Sequence, residues 1–145
     1  MTETIFKVIP TVYLVLMKRN RVLLSRRYNT GFHDGEFSFP AGHLNPDETL
    51  IQAMIREARE EVDIELNPKD LRLVHVMHRK EPCENRVNFF FTTEKWKGKP
   101  KIMEPHKCDS IKWFDVSNLP NNTIPYIKQA INCILQKTFY SEYGW

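Results

Sequence analysis

The stretch from Asn45 to Asp63 constrains this chain more than any other. Apolar residues recur at Ile51, Met54, Ile55, Ala58 and Val62, the spacing of one face of an α-helix. Asn45 is expected to cap that helix, with Pro46 at its first position and Glu48 reaching back as a capping-box partner. The helix is expected to stop near Asp63, ahead of Pro68. Glu57, Glu60 and Glu61 share an arc of about 100°, beside the apolar stripe rather than opposite it. Such a helix packs on a sheet and still presents three carboxylates at the rim of a cleft. Like charges one turn apart destabilise a helix by roughly a few tenths of a kcal/mol each. A hard divalent cation removes that cost, and Mg²⁺ or Mn²⁺ prefers oxygen ligands. Glu57 and Glu61 are the natural ligand pair, with Glu60 assisting. On its own an acidic face is commonly a solvated surface, so the rest of the chain decides.

Strands are expected on both sides of this helix. Residues 6–17 and 21–26 read as the arms of a hairpin turning at Lys18-Arg19-Asn20, and 36–39 as a short strand. Residues 28–35 and 40–47 read as loops. Residues 71–78, 86–93 and 110–114 read as further strands, and 125–140 as a second helix. The order β-β-β-α-β-β-β-α implies an α/β fold, a mixed sheet covered by helices. No repeat, linker or low-complexity tract interrupts it, so residues 1–145 are expected to form one domain. The phosphate-binding patterns G-x-G-x-x-G and G-x-x-x-x-G-K-[ST] are absent.

The net charge of +3 is too small to argue for nucleic acid, but its distribution is uneven. Residues 47–65 carry −5 and the remainder +8. An acidic focus on a basic chain suits a cation together with a polyanionic substrate. Cys83, Cys108 and Cys133 are odd in number and form no C-x-x-C pair. A reducing, cytoplasmic setting is therefore expected. The longest apolar run, 6–17, is interrupted by Lys7 and Pro10 and falls short of the ~20 residues of a membrane span, so no membrane partner is expected.

Read from Gly42, the acidic segment resembles the signature of the Nudix hydrolases, G-x5-E-x7-R-E-U-x-E-E-x-G-U, where U is bulky and apolar. Gly42, Glu48, Arg56, Glu57, Glu60, Glu61 and Ile64 all match at the required spacing. Ala58 is a small occupant of a U position, and Asp63 stands where the signature has Gly. That Gly supplies a left-handed helix cap, which Asp tolerates better than most residues. The substitution is expected to cost a little stability and to leave the metal-ligand positions intact.

The resemblance implies an α/β/α sandwich with a mixed β-sheet that cleaves the pyrophosphate of a nucleoside diphosphate linked to another group, with Mg²⁺ or Mn²⁺. Carried onto this chain, it implies that Glu57, Glu60 and Glu61 hold metal, together with the Gly42 carbonyl. It implies that Arg56 orients the glutamates through ion pairs, Glu48 among them. The general base is Glu57 inside the motif or Glu104 outside it. Arg26, Arg27 and His43 are candidate phosphate contacts, and Tyr28 and Phe32 candidate stacking partners for a base. Asn121 or Asn122 is a candidate base reader, Asn122 being the choice carried forward.

Substrate classes narrow by absence. The S-Q-P-W-P-F-P-x-S motif of the NADH-cleaving members is missing. Arg79 and Lys80 stand where ADP-ribose and diadenosine polyphosphate members carry Pro and Tyr. This favours a (deoxy)nucleoside triphosphate, oxidised ones included, cleaved to monophosphate and pyrophosphate by a monomer or homodimer. Two alternatives stand beside it. One is a non-catalytic nucleotide-sensing module. The other is an RNA 5′-end pyrophosphohydrolase, although nucleic acid is not the expected partner because no RNA-binding motif is visible.

Overall fold

Six consecutive residues of β1 (Ile9–Lys18), Thr11 to Leu16, are buried. A strand hidden on both faces belongs at the centre of a sheet covered on both sides. The computed structural model, which describes residues 3–145, has that arrangement. A tight turn leads to β2 (Arg21–Arg27), followed by β3 (Phe37–Ser38), β4 (Ala41–His43) and α1 (Leu50–Val62). β5 (Arg72–Glu81), β6 (Glu84–Thr93), β7 (Cys108–Asp115), α2 (Pro125–Leu135) and β8 (Tyr140–Tyr143) complete the order. β1 is antiparallel to β4 and parallel to β6. Its far end forms a hairpin with β2, which pairs in turn with β3 and β7. β5 is antiparallel to β6 and parallel to β8.

The period of two along β1 divides the core. Val12, Leu14 and Leu16 pack with Ala53, Met54, Ala58 and Val62 of α1. Tyr13 and Val15 pack on the other side with Ile127, Ala130 and Ile131 of α2. The result is the expected sandwich, a mixed sheet between two helices. Among the described residues no helix is long and apolar enough to cross a membrane.

Three local expectations are corrected. The cap of α1 is Thr49, not Asn45: its side chain accepts from Gln52 N at 3.1 Å, and the Gln52 side chain accepts from Thr49 N at 2.9 Å. Glu48 does reach back, accepting from Asn45 N–H at 3.0 Å, but in the turn ahead of the helix, and it also pairs with Arg56, while Asp47 takes a left-handed turn at φ 65°. The segment 40–47 is not all loop, because Ala41–His43 forms β4 on the edge of β1. The second helix ends at Leu135, and Lys137 at φ 58° turns the chain back to form β8. Asp63 adopts the left-handed cap conformation, φ 56°, and its N–H reaches the Ala58 and Arg59 carbonyls.

β8 also creates a buried histidine. His75 is fully buried, with Nδ1 at 2.8 Å from the Thr138 carbonyl and Nε2 at 2.8 Å from Ser141 Oγ. A neutral ring satisfies both, donating at Nδ1 and accepting at Nε2. Burial holds its pKa below the ordinary histidine value. The unfolded state therefore binds the proton more readily, so this contribution is full above about pH 6.5 and is lost as pH falls below it. His43, also lowered, adds to the same trend. Urea midpoints should decline more steeply from neutral to mildly acid pH in the wild type than in His75→Gln. Parallel declines would assign the acid sensitivity elsewhere.

Candidate active site

β4 is the seat of the acidic cluster. The Glu57 carboxylate rests against Gly42, where a Cβ would overlap it. One residue earlier on β4, the Ala41 N–H donates to Glu61 Oε2 at 3.0 Å. Arg56 ties the cluster together. It grips Glu48 with two bonds, Nε to Oε2 at 2.7 Å and Nη2 to Oε1 at 3.0 Å. Its Nη1 donates to Glu57 at 2.8 Å and to Glu60 at 3.1 Å, and its Nη2 also reaches the His43 carbonyl at 3.0 Å. The last carbonyls of a helix lack partners within it. Here Lys101 N donates to Val62 O at 3.1 Å and Met103 N to Glu61 O at 3.3 Å. Those bonds dock the loop before β7 onto the end of α1 and carry Glu104 to the glutamates.

The electrostatics of this cluster are unfavourable as they stand. Burial is the main cause that pushes the Glu61 carboxyl up to about 8, with Glu57 and Glu104 adding repulsion and the Ala41 N–H opposing. Burial raises Glu57 as well, against the pull of Arg56. Glu60 and Glu61 also lie in the last turn of α1, the negative end of its dipole. The donor set is all hard oxygen, with a cradle at Gly42 that only a hydrogen leaves open. These residues fit a hard divalent cation. Among the described residues no three acidic, His or Cys side chains are already gathered at ion-binding spacing. Glu57 and Glu60 lean toward Arg56 instead.

The carboxylates line one end of a cleft of about 720 Å³. Gly42, Glu57, Glu60, Glu61, Glu104, Arg26, Arg27, His43 and Phe32 all border it. Arg26 is held bidentately by Asp109 at 2.7 and 3.0 Å. Arg27 organises the loop 28–35, donating to Phe32 O at 2.6 Å and Thr30 Oγ1 at 3.1 Å. Two expectations do not hold. Asn122 does not border the cleft. Its side-chain nitrogen donates to Gly35 O at 2.7 Å and its backbone carbonyl accepts from Phe37 N, so it staples the loop before α2 to β3. Tyr28 also lies outside the lining, half exposed.

The far end of the cleft went unread in the sequence. Thr11, Tyr13, Arg79, Glu84, Arg86 and Tyr126 line it. The signal was present in the strand period. Arg79 and Asn88 share parity with Met77 and Phe90, so both were bound to face the core side of the sheet.

A model of the NUDIX domain matches residues 7–132. The NAD-capped RNA hydrolase NudC of Stutzerimonas stutzeri is 26% identical over 111 residues, 77% of this chain but 38% of that protein. The chain thus spans well under half the length of that relative. The 8-oxo-dGTP diphosphatase of Escherichia coli is 26% identical over 118 residues, 80% of this chain and 90% of that protein. The crystal structure of a MutT NUDIX hydrolase from Burkholderia pseudomallei superposes with a TM-score of 0.81 at 22% identity, covering 88% of this chain and 98% of that one. At that identity the likeness speaks for the fold. The domain match takes in α1 and the whole acidic cluster and ends within α2, and the chain belongs to the NUDIX hydrolase family.

Proposed function

We propose that this protein is a divalent-metal-dependent pyrophosphohydrolase that cleaves (deoxy)nucleoside triphosphates, oxidised ones among them, to monophosphate and pyrophosphate. The observation that carries this reading is the seating of Glu57 on Gly42 and of Glu61 on the Ala41 N–H, in a cleft also lined by Glu104, Arg26, Arg27 and Lys107. The match to the E. coli 8-oxo-dGTP diphosphatase, which takes in 90% of that protein, supports a nucleoside triphosphate substrate. A single domain over residues 1–145, in the cytoplasm, is part of the same proposal.

Bound at Glu57, Glu60, Glu61 and the Gly42 carbonyl, Mg²⁺ or Mn²⁺ would polarise a phosphoryl oxygen and neutralise charge developing there. The protein groups do the rest. Arg56 fixes Glu57 and Glu60 in position. Arg26, Arg27 and Lys107 face the phosphate chain. Glu104 takes the proton from the attacking water: Lys107, at 3.7 Å, is its one ion-pair partner among the described residues, whereas Glu57 is tied to Arg56. His43 accepts from Arg86 through Nε2 at 2.7 Å, and burial and Arg86 keep it neutral.

The test is product analysis over nucleoside triphosphates, oxidised triphosphates, ADP-ribose, diadenosine polyphosphates, NAD and 5′-triphosphate RNA. Pyrophosphate released from a triphosphate, and lost in Glu57→Gln, is the expected result. Turnover confined to RNA or to a dinucleotide would replace this reading, and nucleotide binding without turnover would favour a sensor. Glu61→Gln supplies a second measurement. It should raise metal-free stability by about 1–2 kcal/mol, because the amide is neutral without the proton that the carboxyl has to take up on folding. It should also abolish the thermal upshift that Mg²⁺ gives the wild type. A metal-induced upshift preserved in the variant would remove Glu61 from the ligand set.

A further inference from the structure

β4, β1 and β6 lie side by side, and Arg86 ties the three together. From β6 its Nη1 donates to Thr11 Oγ1 on β1 at 3.1 Å and to His43 Nε2 on β4 at 2.7 Å. Its Nε donates to Glu84 on its own strand. Its side chain is only 12% exposed, so these partners fix where the guanidinium points.

The protonation of His43 follows from its partner. Arginine carries donors only and does not lose its proton. A ring nitrogen that meets it must offer its lone pair, so Nε2 is the acceptor and a neutral ring holds its proton on Nδ1. A free imidazole takes either tautomer; beside Arg86 one is chosen. Nδ1 has no partner among the described residues, and His43 is exposed and borders the cleft. One fixed N–H donor is therefore left over at the cleft wall.

Its place in the chain says what it meets. His43 follows Gly42, one Cα step of about 3.8 Å from the proposed ligand carbonyl. The His43 carbonyl accepts from Arg56 at 3.0 Å, the same arginine that holds Glu57 and Glu60. Residue 43 is thus tied to the glutamates by its backbone and to β6 by its ring. A cation on those glutamates brings phosphate oxygens to this spot. Such an oxygen is the acceptor that Nδ1–H lacks.

We infer that Arg86 is a positioning residue: it fixes His43 as the Nδ1–H tautomer, and His43 donates through that nitrogen to an oxygen of the phosphate chain. This rests on the nucleotide-hydrolase reading above.

Two measurements test it, and neither needs turnover. Nitrogen-15 NMR of the metal-free protein at mildly alkaline pH reads the ring directly. The wild type should show a protonated Nδ1 and a bare Nε2, and Arg86→Met should mix the two tautomers. Calorimetry with inorganic pyrophosphate and Mg²⁺ reads the contact. Arg86→Met should weaken binding about ten-fold, the worth of one hydrogen bond. His43→Asn sets an amide N–H near the place of Nδ1 without Arg86 having to choose it. In that background Arg86→Met should cost less than about three-fold. His43→Gln, whose amide reaches the place of Nε2 instead, should bind at least about five-fold more weakly than His43→Asn. That comparison keeps the test standing if Arg86→Met does not fold. A wild-type ring with its proton on Nε2, or on both nitrogens, would overturn the inference. So would a wild type that does not bind pyrophosphate, or Asn and Gln variants of equal affinity. A ten-fold loss repeated in the His43→Asn background would also overturn it, because Arg86 would then meet the phosphates itself or only support the fold. A fixed tautomer with coupled affinities but no triphosphate turnover defeats only the hydrolase reading. Turnover with uncoupled affinities defeats only this inference.

Discussion

Arg56→Met is expected to lower the free energy of unfolding by about 2–4 kcal/mol and to reduce kcat/KM by a hundred-fold or more. The guanidinium makes five hydrogen bonds, to Glu48, Glu57, Glu60 and the His43 carbonyl. Removing it leaves Glu48, Glu57 and Glu60 without their shared cation, with Glu61 close by. Breaking a charge network by deleting one member costs far more than the network contributes intact, because the remaining charges lose their compensation. Arg56→Lys should rescue little of this. An ammonium is a point charge and cannot bridge Glu48 bidentately while reaching Glu57 and a carbonyl. Urea denaturation and pyrophosphate release measure the two effects. A lysine variant with wild-type turnover would mean that charge, not the fork, is what the glutamates need.

Gly42→Ala should separate activity from stability. The atoms nearest the added methyl are Cγ, Cδ and Oε1 of the Glu57 side chain. The closest clash is with a flexible side chain, which can swing aside. Stability is therefore expected to change by less than about 1 kcal/mol. The cost falls on chemistry: a reacting group displaced by about 1 Å loses roughly a hundred-fold in rate. A variant with an unchanged thermal midpoint and a strongly reduced kcat is the expected outcome. Full activity would show that Glu57 works from a position away from Gly42. A collapsed midpoint would show that the Gly42 seat supports the fold itself.

The parts of this fold with a long repeating pattern were legible. α1 follows from five apolar positions at helical spacing, and the left-handed Asp63 from its place after that stripe. The glutamates, Arg56 and Gly42 were found because their spacing is fixed by one helix and the loop ahead of it. β4 escaped because three residues, Ala-Gly-His, carry no period, and their pairing with β1 is decided by tertiary contact. The true cap, Thr49, was masked by Asn45 and Pro46, which resemble a helix start but sit one turn too early. β8 was swallowed by the apolar run of α2, since nothing short of the Lys137 turn separates them. Asn122 has a base reader's chemistry, but the loop geometry turns its amide onto Gly35. Arg79 fell one residue past the expected strand 71–78 and was weighed only as a departure from Pro, and Asn88 was absorbed by the strand 86–93, so neither was asked which way it faces.

The parallel seam between β1 and β6 has a consequence for how the molecule comes into being. Hairpins β1–β2 and β5–β6 close over short loops and can form early. The seam joins residues as far as 77 apart, as in Thr92 to Val15. Long-range parallel pairing is the slow step in forming a sheet. The cleft straddles this seam, with Thr11 and His43 on one bank and Arg86 and Arg79 on the other. Neither bank alone makes a site. During refolding, nucleotide binding should appear only in the slowest kinetic phase, together with the last of the protected amides. Substrate, by bridging the banks, can then slow unfolding without hastening folding.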